Sequence, residues 1–389
     1  MEIKKNVIYV GVNDYDIDLF EGQYKVPKGM SYNSYLIIDE KIAVMDSVDI
    51  RFADLWINKT KNALKGKTPD YLIVQHMEPD HSSSIIKFIE SFGDVTVVAS
   101  KRAFDMMIGF FGRDFAEKRI VVGDGDSLSI GKRKFTFITA PMVHWPEVIL
   151  TLDDFDKILF SADAFGRFGA IGSIQDEISE MRRYYFGIVG KYGKQVQNLL
   201  TKLRQFDFDT ICSLHGPALT DNLHYYINLY DIWSSYRPET QGVCIAYASI
   251  YGNTKAAAEL LARLLDKMGI IVNIFDLARC DMHQAVENAF KNDTLILASS
   301  TYNADVFPVM RAFIDHLTDR NFQNRKIAFI ENGSWAPGAI KAMKNMLGKS
   351  KNLIYITPEV TITSSLNDES RRQINLLADN LSKRFTISD

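Results

Sequence analysis

The sequence predicts an α/β protein in two domains, and three observations carry that prediction. The second half alternates strand-like and helix-like runs. The first half mixes both kinds less regularly. Between them lies a short polar stretch, Tyr236-Arg237-Pro238-Glu239-Thr240-Gln241-Gly242, whose Pro and Gly mark a boundary. Domains are therefore expected at 1–238 and 242–389. The chain has 389 residues, 47% of them apolar, which is ample for two cores. Its 45 basic and 48 acidic residues nearly balance, and no long basic run occurs, so neither nucleic acid nor an anionic membrane is an expected partner. The opening Met-Glu-Ile-Lys-Lys-Asn-Val has no apolar signal core, and no apolar run approaches the length of a membrane span. A cytoplasmic location is expected. Cys212, Cys244 and Cys280 are widely spaced and read as buried reduced thiols.

In the first half, β-type runs come first, at 5–12, 34–39 and 42–46. Apolar residues at helical spacing follow at 52–64, 85–92 and 103–111, with the buried strand 71–75 among them. Further strands are expected at 134–139, 148–152 and 157–161, then a long helical stretch at about 177–205 and a last strand at 210–214. Mixed in this way, the elements suggest layered α/β packing.

The strand at 71–75 runs directly into His76-Met77-Glu78-Pro79-Asp80-His81, with four metal-competent side chains in six residues. Two carboxylates and two imidazoles crowded at a strand's end are hard to satisfy without a cation. His144, Asp163 and His215 each follow a predicted strand in the same way, so separate segments can converge at one end of the sheets. Seven ligands are too many for one tetrahedral zinc. They suit two metals of mixed nitrogen and oxygen preference with one carboxylate shared, and the absence of thiolates favours iron or manganese. Such ligation leaves open positions for redox or Lewis-acid chemistry. Trp145, Pro146 and Glu147 are candidate walls of the pocket. Tyr192 reads as packing, and His224, His283 and His316 as surface residues or outer supports.

The second half reads as repeated β-α units. Strands are expected at 243–248, 270–275, 294–298, 326–330 and 352–356, and helices at 255–267, 282–290, 308–318, 339–347 and 371–385. Strands alternating with helices of this length argue for an open parallel sheet. The first turn, Ser249-Ile250-Tyr251-Gly252-Asn253-Thr254, is rich in hydroxyls and opens a helix, which suits a phosphate dianion held by backbone N–H groups. It is neither GxGxxG nor a nucleotide-triphosphate loop.

These motifs resemble known families. The first cluster is similar to the His-x-His-x-Asp-His signature of the metallo-β-lactamase superfamily, with Glu78 in place of the second histidine. That variant resembles the flavodiiron proteins. The turn at 249–254 resembles the flavodoxin loop for the phosphate of FMN. Ser300-Thr301-Tyr302-Asn303 and Gly333-Ser334-Trp335 resemble the loops that flank the flavin ring.

Across the chain, the resemblance implies a metallo-β-lactamase-like αββα sandwich followed by a flavodoxin-like, doubly wound, five-stranded parallel sheet. It implies two irons, with His76, Glu78 and His144 on one, Asp80, His81 and His215 on the other, and Asp163 as the bridge. It also implies FMN, reduction of dioxygen to water or of nitric oxide to nitrous oxide, and a head-to-tail homodimer or a dimer of dimers. No Cys-x-x-Cys pair or dinucleotide fingerprint is present, so electrons are expected from an external donor, and the resemblance implies rubredoxin or a reduced deazaflavin, both donors used within the family. Two other readings compete: a metal-hydroxide hydrolase with a flavodoxin appendage, and a non-catalytic electron carrier.

Overall fold

The computed structural model describes residues 1–173 and 177–385; the end of the second expected domain, 386–389, lies outside the described residues. The chain divides into two compact units, Met1–Asp231 and Ile232–Asp389. The polar stretch at 236–242 is tied to the second unit: Arg325 donates to the carbonyl oxygens of Tyr236 and Arg237, and Glu239 N–H to that of Lys291.

The first unit is an αββα sandwich, as the sequence implied. A seven-stranded sheet runs in the order Glu2–Lys4, Val7–Tyr9, Tyr35–Ile38, Ile42–Met45, Tyr71–Val74, Thr96–Ser100, Arg119–Val122. A five-stranded sheet runs Ser127–Ser129, Lys134–Thr139, Ile149–Asp153, Ile158–Phe160, Thr210–Cys212. Side chains alternate along each strand, which explains the unbroken apolar runs. Tyr71 and Ile73 join Phe135, Phe137, Ile149 and Phe160 in the core between the sheets, while Leu72 and Val74 are buried on the other face. Trp56 of Ala53–Leu64 stacks on Phe88 of Ile85–Phe92, so these helices pack on each other through aromatic faces.

The long helix expected at 177–205 is broken into Glu177–Tyr184, a π turn at Tyr185–Val189, a 3-10 turn at Gly190–Tyr192 and Gly193–Leu203. Tyr24 is the physical reason. Its hydroxyl donates to the Gly187 carbonyl at 2.8 Å, and a Cβ on Gly187 would sit 2.9 Å from the Tyr24 ring. Tyr24 belongs to a small hairpin, Leu19–Phe20 with Tyr24–Lys25, that the sequence did not reveal.

The second unit is the expected parallel sheet. Its order is Val272–Asp276, Thr240–Ala248, Asn292–Tyr302, Lys326–Asn332, with a fifth strand in two pieces, Ile354–Tyr355 and Val360–Ile362, both on Lys326–Asn332. This 2-1-3-4-5 order is the flavodoxin-like winding. Asn253–Lys267 and Asp368–Phe385 cover one face and share a core with the central strands. Cys212 and Cys244 are buried as expected, but Cys280 is only half-buried. His283, read as a surface residue or an outer support, is buried and edge-on to His316. Among the described residues no helix is long and apolar enough to cross a membrane.

Candidate metal centre and flavin pocket

The seven predicted metal ligands come together. His76 and Glu78 follow Tyr71–Val74, and Asp80 and His81 sit in the short helix Pro79–Ser82. His144 follows Lys134–Thr139, Asp163 follows Ile158–Phe160, and His215 follows Thr210–Cys212. Both sheets therefore deliver ligands at the carboxyl ends of their strands. The ligand atoms form two groups, His76, Glu78, His144 and Asp163 in one, Asp80, His81 and His215 in the other, each with its atoms within 4.8 Å of one another.

Asp163 joins the groups. Its Oδ2 lies 3.3 Å from His76 Nε2 and 3.1 Å from His144 Nε2. Its Oδ1 lies 3.5 Å from His81 Nε2 and 3.6 Å from His215 Nε2. Glu78 Oε2 approaches His76 and His144 at 3.2 and 3.0 Å, and Asp80 Oδ2 approaches His81 and His215 at 3.3 and 3.4 Å.

Outer contacts fix what these atoms can be. His76 Nδ1 donates to Glu147 Oε1 at 2.8 Å, and His215 Nδ1 donates to the Ser31 carbonyl at 2.7 Å. Each Nε2 is then left with a lone pair, facing carboxylate oxygens that also only accept. His81 and His215 Nε2 meet at 3.0 Å, and both oxygens of Asp80 are buried without a hydrogen-bond partner among the described residues. Acceptors converging on acceptors call for positive charge between them, which protons on the imidazoles or a bound cation can supply.

The electrostatics agree. Burial opposes charge on His76, yet Asp163, Glu147 and Glu78 hold its pKa well above the ordinary value. His144 behaves alike: burial lowers it, but Asp163 and Glu78 carry it to about 9. Burial and the neighbouring Glu78 and Asp163 push Asp80 well up, while burial and then His215 push His81 well down. The first group thus gathers positive charge and the second sheds negative charge, as a dry cluster does when no cation balances its carboxylates. The donor set of imidazoles and carboxylates without thiolate fits a pair of irons.

Several supporting residues escaped the sequence. Asp46, whose backbone φ is +53°, accepts from Gln75 N–H at 2.7 Å and His76 N–H at 3.3 Å, and burial lifts its carboxyl to about 7. Tyr184 reaches the site, its ring 5.5 Å from His215. Phe20 at the hairpin and Tyr32 stand edge-on to the same imidazole at 5.3 and 6.1 Å. Trp145, by contrast, is one of the candidate walls named from the sequence, and it stands edge-on to His76 at 5.3 Å. A backbone carbonyl such as that of Ser31 has no signature in a sequence, and nothing in the spacing of Glu147 points back to His76.

In the second unit, a cavity of about 470 Å³ opens at the carboxyl ends of the strands. Of the residues expected to bind the cofactor, Ser249, Ile250, Tyr251, Asn253, Thr254, Ser300, Thr301, Tyr302, Asn303, Gly333, Ser334 and Trp335 line it. Gly252 does not. It takes φ +92° just before the helix Asn253–Lys267 and shapes the turn instead. Thr301 lines the cavity, but its hydroxyl is engaged, accepting from Gly338 and Ala339 N–H at 3.0 and 3.3 Å. Ala304, Asn332 and Ala336 complete the loops, and Ser364 arrives from beyond the unforeseen piece of the fifth strand. No lining residue is charged. The hydroxyls and the amino end of a 15-residue helix are what would meet a phosphate, and Tyr251, Tyr302 and Trp335 are exposed aromatic faces at the rim.

Residues 30–216 match a family model described as ODP family beta lactamase, and residues 245–352 match the flavodoxin model. The curated relatives include the anaerobic nitric oxide reductase flavorubredoxins of Salmonella arizonae and Citrobacter koseri. Each is 28% identical over 358 residues, 89% of this chain and 74% of the relative. Among solved structures, the rubredoxin oxygen:oxidoreductase of Desulfovibrio gigas superposes with a TM-score of 0.90 at 24% identity, covering 99% of this chain and 98% of that one. The chain belongs to the flavodiiron family. Another member, the flavodiiron protein of Giardia intestinalis, superposes with a TM-score of 0.87 at 24% identity over 98% of this chain and 96% of its own. The cofactors of the flavodiiron family are FMN and a di-iron centre, and the two sites built from this chain's residues fit them.

Proposed function

We propose that this chain is a cytoplasmic oxidoreductase that reduces dioxygen to water, nitric oxide to nitrous oxide, or both. The observation that carries the reading is Asp163, whose two oxygens face two separate histidine groups. In this reading His76, Glu78 and His144 hold one iron, Asp80, His81 and His215 the other, and Asp163 both. Ser249, Asn253, Thr254 and the helix start receive the FMN phosphate; the loops at 300–303 and 333–335 receive the ring. When bound, two ferrous ions supply an electron each and a place for the gas, and reduced FMN supplies two electrons more.

The chain's own residues do the rest. Glu147 and the Ser31 carbonyl orient the His76 and His215 rings so that Nε2 faces the pocket. Phe20, Tyr32, Trp145 and Tyr184 line the imidazoles with apolar ring surface, which limits water and admits an apolar diatomic gas. Asp163 keeps the positions adjacent, so both atoms of dioxygen, or two nitric oxide molecules, can be engaged together.

Electrons come from a separate donor, rubredoxin or a reduced deazaflavin. The assembly is a head-to-tail homodimer or a dimer of dimers. The exposure of Tyr251 and Trp335, 93% and 92%, supports a partner surface at the flavin rim. A purely monomeric protein with full turnover would contradict that assembly.

The test is to reduce the purified protein anaerobically, add each gas in turn, and follow its disappearance together with flavin reoxidation. Consumption of either gas with two irons per chain supports the proposal. Two zincs per chain with hydrolytic activity would replace it with the lactamase-type reading, and an inert but reducible flavin with the electron-carrier reading.

A further inference from the structure

The imidazoles of the metal centre are not held alike. His76 Nδ1 donates to a carboxylate, Glu147 Oε1, at 2.8 Å, whereas His215 Nδ1 donates to a neutral carbonyl, that of Ser31, at 2.7 Å. His81 Nδ1 is buried with no hydrogen-bond partner among the described residues. The support therefore grades from anionic, through neutral, to none.

Glu147 is built for this contact. Its side chain is fully buried, and its Oε1 also accepts from Met77 N–H at 2.8 Å. Ser100 Oγ donates to the Glu147 carbonyl at 2.8 Å, which pins the backbone. Its Oε2 is buried with no hydrogen-bond partner among the described residues. A carboxylate left half-matched in a dry place is unfavourable unless positive charge lies close by, and the His76 ring connects Glu147 to a place built for a cation. A carboxylate behind an imidazole also makes its far nitrogen a stronger ligand. In charge, the position framed by His76, Glu78 and His144 has Glu78, its share of Asp163, and Glu147 behind. The position framed by Asp80, His81 and His215 has Asp80 and its share of Asp163, with Asp49 acting on Asp80 from farther off and no carboxylate hydrogen-bonded behind either imidazole among the described residues.

We propose that Glu147 makes the two metal positions unequal: the one framed by His76, Glu78 and His144 takes its ion first and holds it more tightly. Glu147 is the positioning residue that sets this order, and the inference rests on the two-metal reading above.

The experiment titrates the metal-free, full-length protein anaerobically with Co(II), following heat and visible absorption. Two resolved steps are expected. His144→Ala removes the tighter step and His215→Ala the weaker. Glu147→Gln keeps the shape and the amide oxygen as acceptor, and it weakens the first step by about 10- to 100-fold while moving the second by less than about threefold. Circular dichroism of the metal-free variants checks the fold, since a merely structural lesion shifts both steps together. Two equal steps in the unaltered protein, His215→Ala removing the tighter step, or Glu147→Gln weakening both steps alike would overturn the proposal. These wild-type, His144→Ala and His215→Ala titrations decide the order even if a Glu147 variant does not fold. No cobalt bound at all would instead overturn the two-metal reading itself.

Discussion

Replacing Asp163 with Asn is the perturbation that most directly tests the shared carboxylate. The four nearest Nε2 atoms lie 3.1 to 3.6 Å from its oxygens, two to each oxygen. The amide keeps the side chain's shape and removes its charge. Two unit charges about 3.5 Å apart at an effective dielectric of about 20 interact by about 5 kcal/mol. Divided between two positions, the loss is about 2 kcal/mol at each, or about 30-fold in affinity. The amide adds an asymmetry: its oxygen can face only one position, and its NH₂ then points at lone pairs where the other ion belongs. The assay is anaerobic loading with ferrous iron, desalting, and metal analysis beside circular dichroism. Iron is expected to fall from two per chain to one or fewer while the fold persists. A variant that kept two irons at unaltered affinity would refute the argument, because no other carboxylate among the described residues faces both groups.

The remaining predictions concern the walls, the flavin loop and acid stability. The Tyr184 hydroxyl is buried beside His215 without a hydrogen-bond partner among the described residues, so Tyr184→Phe should leave metal-free stability equal or higher by about 1 kcal/mol while slowing gas consumption; unchanged turnover would show the hydroxyl to be idle. A Cβ on Gly333 would sit 2.7 Å from Pro337 Cα, so Gly333→Ala should raise the FMN dissociation constant about tenfold or more by fluorescence titration, and an unmoved constant would place the flavin elsewhere. His316 is held down from 6.5 to about 4 by burial and then by Arg320 and His283. With its folded value below the unfolded one, the unfolded chain takes up the proton first. The stability it contributes is full above about pH 6.5 and is lost as the pH falls through about 4. His316→Gln should flatten that acid limb in denaturant titrations; a limb of unchanged slope would argue against the shift.

What the sequence disclosed follows from where its chemistry is concentrated. Tyr71–Val74 and Lys326–Asn332 are covered on both faces, so their apolar runs are unbroken and easily read. Thr96–Ser100 is nearly as buried, but it runs straight into the helix Lys101–Phe111 with Ser100 as its cap, so no turn marks its short apolar run off as a strand. The fifth strand of the second unit is interrupted by Pro358, which donates no ladder hydrogen bond, so its second piece and Ser364 beyond it were hidden. The break at 185–192 depends on Tyr24, far away in the chain, and no local pattern encodes it. The same division runs through the site. The seven groups are polar side chains after strands and stand out in the sequence, as does Glu147 beside His144; Asp46, Tyr184, the Ser31 carbonyl and the tie from Glu147 to His76 are legible only once both sheets have folded.

The two units answer the same electrostatic problem in opposite ways. Around the metal centre, carboxylates and imidazoles are drawn together in a dry interior until acceptors face acceptors, an arrangement that cations resolve. In the flavin cavity, by contrast, no charged side chain lines the walls, and a dianion must rely on hydroxyls, backbone N–H groups and the end of a helix. The difference suits what each must hold. A metal site surrounded by fixed charge discriminates strongly for cations and against everything else. A neutral pocket neither binds a bare ion tightly nor adds a fixed charge beside a flavin whose own charge changes with reduction. Introducing a lysine at Ser300 would therefore be expected to tighten phosphate binding and also to shift the flavin's reduction potential upward. A lysine that tightened FMN without moving the potential would show that the neutral lining has no bearing on the flavin's redox chemistry.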